Sequence, residues 1–302
     1  MESIPVLHVT GRTLAVAYEK ALVALYQRGT HFRTQYDKEG EPLSLDCTMS
    51  ITIEEPLTDP MIHKAFPGGI PDLREYVYEL QGLKDAWVKN MNDPTDTRWE
   101  YTYHSRLHRY GEWKELAESD GARVSRTAGP FRVDQIERVI QKLSAQPFTR
   151  QAQMITWMPQ LDLDCFDPPC LQSLWYRIIE DEQGAQWLNC NVRFRSNDAW
   201  GASFMNMFGL IMFNQEVIAA GVEERSGKPV RLARMHWQAD SYHIYGKDIE
   251  RFKRGLYDRL AATAFADRVF NFHDPDIQEM YHECEPEILR KIAEFDARMA
   301  AR

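Results

Sequence analysis

Cys170 stands at the end of Asp167-Pro168-Pro169-Cys170, where two prolines fix the backbone just before a thiol and a strand-like run follows. A nucleophilic thiol needs positive charge nearby to lower its pKa. Arg195, in Arg193-Phe194-Arg195-Ser196-Asn197-Asp198 on a later strand, supplies that charge. The plain alternative is a buried, inert cysteine. Glu75, in the helix after Gly68-Gly69, offers a carboxylate for proton transfer, its plain alternative being a solvated surface charge. His243 and Tyr245 alternate along Asp240-Ser241-Tyr242-His243-Ile244-Tyr245, so the two side chains share a strand face and can jointly bind a hydroxyl. His104 and His108 have helical i, i+4 spacing, but without a third ligand or an HExxH carboxylate they do not make a metal site.

These residues need a scaffold, and periodicity supplies one. A helix is predicted from about Thr13 to Tyr26, where Leu14, Tyr18, Leu22 and Tyr26 recur every four residues, followed by a loop carrying His31-Phe32-Arg33-Thr34. Cys47 to Glu54 alternates as a half-buried strand, and Pro71-Asp72 opens a short helix over Leu73–Leu80. Lys84 to Ser125 is irregular and aromatic, with Trp87, Trp99, Tyr101, Tyr103, Tyr110 and Trp113. An amphipathic helix spans Val133 to Ala145, and strands are predicted at Ala152–Trp157, Leu171–Ile179, Leu188–Phe194 and Met235–Tyr245. A helix runs from about Trp200 to Val222, and a charge-laced helix from Asp276 to Arg302 is interrupted at Pro286. With no repeat and no evident linker, the simplest reading is one α+β domain over residues 1–302, in which 276–302 form a C-terminal helical extension.

Composition narrows the function classes. Lys plus Arg number 36 against 45 Asp plus Glu, a net charge of −9, which disfavours nucleic-acid polymer binding but not a phosphorylated small molecule held by a few arginines. No stretch approaches the roughly 20 apolar residues of a membrane span, and Met1 to Arg12 carries no secretory signature, so a cytoplasmic enzyme is expected. The five cysteines are scattered without CxxC pairing, which argues against a disulfide framework or a structural zinc site.

The order Arg150…Trp157…Pro168-Pro169-Cys170…Arg195-Ser196-Asn197-Asp198…Asn206…Asp240-Ser241-Tyr242-His243-Ile244-Tyr245 resembles the thymidylate synthase and pyrimidine nucleotide hydroxymethylase superfamily. Cys170 follows Trp157 by 13 positions and Asn206 follows Arg195 by 11, both equal to the family spacing. The resemblance runs from about Arg33 to Tyr245 and implies a mixed β-sheet packed with helices, in a sheet-to-sheet homodimer. It implies methylenetetrahydrofolate as one-carbon donor, with Cys170 adding to pyrimidine C6 so that C5 becomes a carbon nucleophile. Arg195 then looks like a phosphate ligand that also keeps Cys170 ionised, Ser196 and Arg33 like further phosphate contacts, and Arg150 like the arginine that reaches the partner's nucleotide. Glu75 matches the glutamate that relays protons, Tyr103 a tyrosine that assists proton removal from C5, and Asp198 and Trp87 the folate contacts. Asn206 matches the residue that meets the base edge, and His243 with Tyr245 the pair that binds the sugar 3′-hydroxyl.

The sequence departs from an ordinary thymidylate synthase at three places. Gly201-Ala202-Ser203-Phe204-Met205-Asn206 replaces the usual Leu-Gly-x-Pro-Phe-Asn, with Gln151 where a second arginine is usual, and Glu285 to Arg302 is charged where an apolar closing tail is expected. In the implied reaction C5 takes up the carbon, loses its proton and expels tetrahydrofolate to leave an exocyclic methylene; weak water exclusion favours capture of that methylene by water over hydride, which points to 5-hydroxymethylation. Asn206 suits uracil, and cytosine with its amide flipped. The Arg150-Gln151 and Ala199-Trp200 surroundings resemble the branch that hydroxymethylates CMP, which puts CMP narrowly ahead of dCMP and dUMP. The alternatives are a thymidylate synthase methylating dUMP and a non-catalytic nucleotide-binding or interaction protein.

Overall fold

The computed structural model describes residues 3–89, 95–111 and 132–300, with the backbone alone described at Ala300. Trp113, Ser125 and the last two residues of the predicted C-terminal helix lie outside them. In chain order the elements are β1 (Val6–Gly11), α1 (Leu14–Arg28), β2 (Thr30–Phe32), β3 (Ser44–Ile53), β4 (Ile62–His63), α2 (Ile70–Leu80), α3 (Tyr103–His108) and α4 (Gln135–Ala145). There follow β5 (Ala152–Ile155), α5 (Pro159–Asp162), β6 (Leu171–Glu180), β7 (Gln186–Phe194), β8 (Asn197–Asp198), α6 (Ser203–Phe213) and α7 (Ala220–Ser226). The chain continues through β9 (Val230–Ile244), α8 (Ile249–Gly255), β10 (Val269–Phe270), α9 (Pro275–Glu283) and α10 (Glu285–Ala300).

The main sheet is mixed, in the order β1-β3-β9-β7-β6-β5, with β2 pairing β3 and β8 pairing β9. β1 runs parallel to β3 and β7 parallel to β9, whereas β3–β9, β6–β7 and β5–β6 are antiparallel. Alternation along β3 sends Met49, Ile51 and Ile53 into the core, where α1 packs with Leu14, Tyr18, Leu22 and Leu25 fully buried. Each such side chain contributes about 1.5–3 kcal/mol by leaving water. The other face carries polar side chains that bond one another: His236 is 3.1 Å from the Thr52 hydroxyl, and Arg234 donates to Asn191 at 2.8 Å.

Local chemistry sets the elements that matter most for the site. Pro71 lies in the first turn of α2, and the Asp72 carboxylate accepts the Gly69 N–H at 2.7 Å, so the helix begins three residues before the apolar period alone suggests. Gly82 follows its end at φ +92°, where a Cβ would strike the His104 ring. Thr102 caps α3 by accepting the Ser105 N–H at 2.9 Å, giving a helix inside the region that sequence periodicity leaves irregular. The predicted helix from Trp200 to Val222 starts at Ser203 and passes through one widened turn over Asn214–Ala219 before α7. β1 is unpredicted; it forms because β3 supplies a parallel partner along its whole length. The predicted C-terminal helix is two helices, α9 and α10, divided at Cys284 immediately before Glu285-Pro286.

No helix among the described residues is long and apolar enough to cross a membrane. Likewise, among them no group of three His, Cys, Asp or Glu side chains could hold a metal ion. His104 and His108 instead stack on each other and bond separately to Asp85 and Asp134, each at 2.8 Å.

Candidate active site

Cys170 immediately precedes β6 and Arg195 immediately follows β7. The antiparallel register pairs Leu171 with Phe194, so the two residues meet at the open end of the hairpin, with the Arg195 N–H on the Cys170 carbonyl at 2.9 Å. Their sequence separation is the contour of one hairpin. β8 then runs beside the end of β9 with Asp198 opposite His243, and Tyr245 follows on the same face. α6 begins just after, bringing Asn206 in its second turn, and α2 packs across α6 to add Tyr76 and Glu79.

Together these elements enclose a cavity of about 600 Å³ lined by Cys170, Tyr103, Arg195, Ser196, Asp198, Asn206, His243 and Tyr245, eight of the twelve residues singled out from sequence. Tyr36, Tyr76, Glu79, Trp99, Tyr101, Phe166 and Asn197 share the lining. Its walls are therefore aromatic, with polar groups converging on the thiol.

The Arg195 guanidinium lies 3.6 Å from the Cys170 sulfur and donates to the carbonyls of Pro168 and Pro169, which is what the two prolines fix in place. Arg195 pulls the thiol pKa down, but burial pushes it up by more, so the net displacement is upward. The expectation that Arg195 keeps the thiol ionised thus meets the opposing effect of burial.

Asp198 accepts the N–H groups of Trp200 at 3.1 Å and Gly201 at 2.8 Å, and a side chain at Gly201 would collide with its carboxylate. Burial nevertheless raises its pKa. Asn206 accepts from the Asn197 amide at 3.0 Å and donates to the Tyr76 hydroxyl at 2.6 Å. Tyr76 and Tyr103 are both held as neutral phenols by burial. His243 lies 3.3 Å from the Ser241 hydroxyl through Nδ1, while its Nε2 is buried without a partner among the described residues.

Four expected residues stand outside the cavity lining. Glu75 is paired with Lys84 at 2.7 Å, whereas Glu79, one turn further along α2 and three residues from Tyr76, faces the cavity. Burial raises the Glu79 pKa against the pull of the nearby Lys84 ammonium. Trp87 packs between Trp99, edge to face, and the tilted ring of Phe295, and of the two tryptophans Trp99 reaches the cavity. Arg33 bonds the carbonyls of Lys38 and Glu41 at 3.1 and 3.3 Å, bracing its own loop. Arg150 is exposed, with its carbonyl accepting from Trp175 at 3.0 Å. Glu79, Tyr76 and Asn197 escape sequence reasoning, although the i, i+3 spacing of Tyr76 and Glu79 on one helix was available as a signal.

Residues 73–282 match the model of the family described as thymidylate synthase. The chain belongs to the thymidylate synthase family. Its relatives include a Methanosarcina barkeri protein 25% identical over 251 residues, which span 82% of this chain and 95% of that one. A Methanococcoides burtonii protein is 27% identical over 246 residues, covering 82% and 93%. A Methanopyrus kandleri protein reaches 29% over 181 residues, covering 60% and 70%. All three carry the name "Putative thymidylate synthase". Family membership and the mixed α+β fold identify a one-carbon transferase whose substrates are a nucleotide and methylenetetrahydrofolate.

Proposed function

We propose that the chain transfers a one-carbon unit from methylenetetrahydrofolate to C5 of a pyrimidine nucleoside monophosphate, with hydroxymethylation of CMP ahead of dCMP and dUMP. The observation that carries this reading is the convergence of Cys170, Arg195, Asn206, Asp198 and the His243/Tyr245 pair on one cavity. Cys170 attacks C6 of the base; the new C–S bond places the electron pair on C5, which then bonds to carbon. The folate supplies that carbon at the oxidation level of formaldehyde; loss of the C5 proton and cleavage of the carbon–nitrogen bond release tetrahydrofolate and leave an exocyclic methylene, to which water adds as the C6–sulfur bond to Cys170 breaks. Arg195 and Ser196 bind the phosphate, and Arg150 contributes across a homodimer formed on the polar sheet face. Phosphate on Arg195 brings negative charge near the thiol, so ionisation of Cys170 accompanies attack and needs a proton acceptor.

Glu79 is the carboxylate placed to handle protons at the base, and buried Asp198 with the Trp99, Tyr101 and Phe166 walls fits a flat, hydrogen-bonding pterin. His243 has a neutral imidazole with an unpartnered Nε2, which suits accepting a sugar hydroxyl. Water capture is supported by the lining itself: it contains Glu79, Glu100, Asp167 and Asp198, and no described residue of α9 or α10 contributes to it. An acidic, open wall retains water at the reacting carbon.

The test is mass spectrometry of products after incubation with methylenetetrahydrofolate and equimolar CMP, dCMP, UMP and dUMP, with Cys170→Ala as control. A hydroxymethylated cytosine nucleotide is expected. A methylated dUMP product alone would replace this reading with thymidylate synthesis, and absence of both product and covalent Cys170 adduct would favour a binding role.

A further inference from the structure

The polar edge of the cavity is a relay of three side chains. Asn197 Nδ2 donates to Asn206 Oδ1 at 3.0 Å, and Asn206 Nδ2 donates to the Tyr76 hydroxyl at 2.6 Å. All three residues line the cavity, and Asn206 is only 8% exposed. A carboxamide has two N–H donors and two oxygen lone pairs. One of each is spent on the relay, leaving one donor and one acceptor, side by side, for a base.

The sides on which they stand are not free. A flip of Asn206 alone would set its Nδ2 against the Asn197 Nδ2, two donors face to face in a buried setting, which is costly. The flip becomes acceptable only if Asn197 turns as well, presenting its Oδ1, an atom now buried without a partner among the described residues. Tyr76 does not oppose the change, because a neutral hydroxyl accepts or donates equally well. The direction of the whole relay is therefore set at Asn197.

Uracil and cytosine differ at this edge by an exchange of donor and acceptor: O4 and N3–H in one, the 4-amino group and N3 in the other. We infer that Asn197 is a specificity-determining residue, which fixes the polarity of Asn206 through one hydrogen bond and thereby selects which pyrimidine edge the cavity takes. The inference rests on the reading that Asn206 meets the base. It does not depend on which base the wild-type protein prefers.

The experiment compares dissociation constants of CMP against UMP, and of dCMP against dUMP, for the wild type, Asn197→Asp, Asn197→Ser and Tyr76→Phe, each confirmed folded by circular dichroism. The wild type is expected to favour one base at least tenfold. Asn197→Asp, whose carboxylate accepts from Asn206 Nδ2, is expected to shift the cytosine-to-uracil ratio at least tenfold toward the other base. Asn197→Ser, whose hydroxyl accepts or donates equally well, releases the constraint on Asn206 and is expected to bring the ratio severalfold closer to one, so the inference stays testable if the aspartate variant does not fold, whereas Tyr76→Phe removes a hydroxyl that serves either orientation and is expected to leave the ratio within about twofold of wild type. A wild type without base preference, ratios unchanged within twofold in the folded Asn197 variants, or a ratio moved as far by Tyr76→Phe as by the Asn197 variants, would overturn it. Product formation measured in parallel separates the two levels: inverted binding without turnover sinks the reaction but keeps the relay, while turnover with unchanged ratios sinks the relay alone.

Discussion

The Arg195 guanidinium reaches the Cys170 sulfur at 3.6 Å, yet burial outweighs its charge and the thiol stays above its ordinary pKa of 9.0. The sign of two effects follows. The thiolate fraction, and with it the alkylation of Cys170 by iodoacetamide, rises with pH well past neutrality. Arg195→Ala removes the positive charge that lowers that pKa, so the titration moves further up. At pH 7.5 the variant should alkylate more slowly than the wild type. Peptide mapping at Cys170 across pH 6–10 reads both; equal or faster alkylation in the variant would contradict the pairing.

Much of the site is legible in the sequence alone. Two prolines ahead of a cysteine, an arginine one hairpin later and an alternating His-x-Tyr strand specify positions along strands, and strand geometry is regular enough that spacing becomes proximity. What was not legible depended on helix rotation and on which charge a lysine takes. Glu75 and Glu79 lie on nearly the same stripe of α2, and only packing against α6 and capture by Lys84 decide that Glu79 faces the cavity. Trp87 and Trp99 likewise compete for one wall, and Phe295 on α10, far along the chain, claims the first. β1 escaped because a strand whose partner is parallel and distant has no local turn signal to announce it.

Lys84 is 5% exposed and holds Glu75 Oε1 at 2.7 Å and Glu79 Oε2 at 3.5 Å. Two consequences distinguish the carboxylates. Glu79→Gln keeps shape and hydrogen-bonding reach but loses proton transfer, and should lower kcat by about a hundredfold or more. Glu75→Gln should cost less than tenfold, because that group does not line the cavity. Steady-state rates for the two variants at pH 7.5 settle the order. The reverse ranking would return the proton-handling role to Glu75.

Asp46 and His243 stand opposite each other in the β3–β9 register and share Ser241, whose hydroxyl donates to the Asp46 carboxylate and lies 3.3 Å from His243 Nδ1. Burial moves their pKa values in opposite directions, His243 down from 6.5 to about 4 and Asp46 up from 3.8 to about 6. For His243 the unfolded chain binds the proton first, so its contribution to stability is lost as pH falls from 6.5 toward 4. For Asp46 the folded chain holds the proton longer, so its contribution is present below 3.8 and lost as pH rises through 6. Each shift is worth about 3 kcal/mol over its window, and between pH 4 and 6 the two nearly offset. Removing one partner exposes the other. Relative to wild type, the unfolding free energy of Asp46→Asn should therefore increase by about 3 kcal/mol from pH 4 to 6, and that of His243→Asn should decrease by a similar amount. Urea denaturation at pH 4, 5 and 6 measures both differences, and parallel profiles for all three proteins would show that this pair does not titrate as a buried couple.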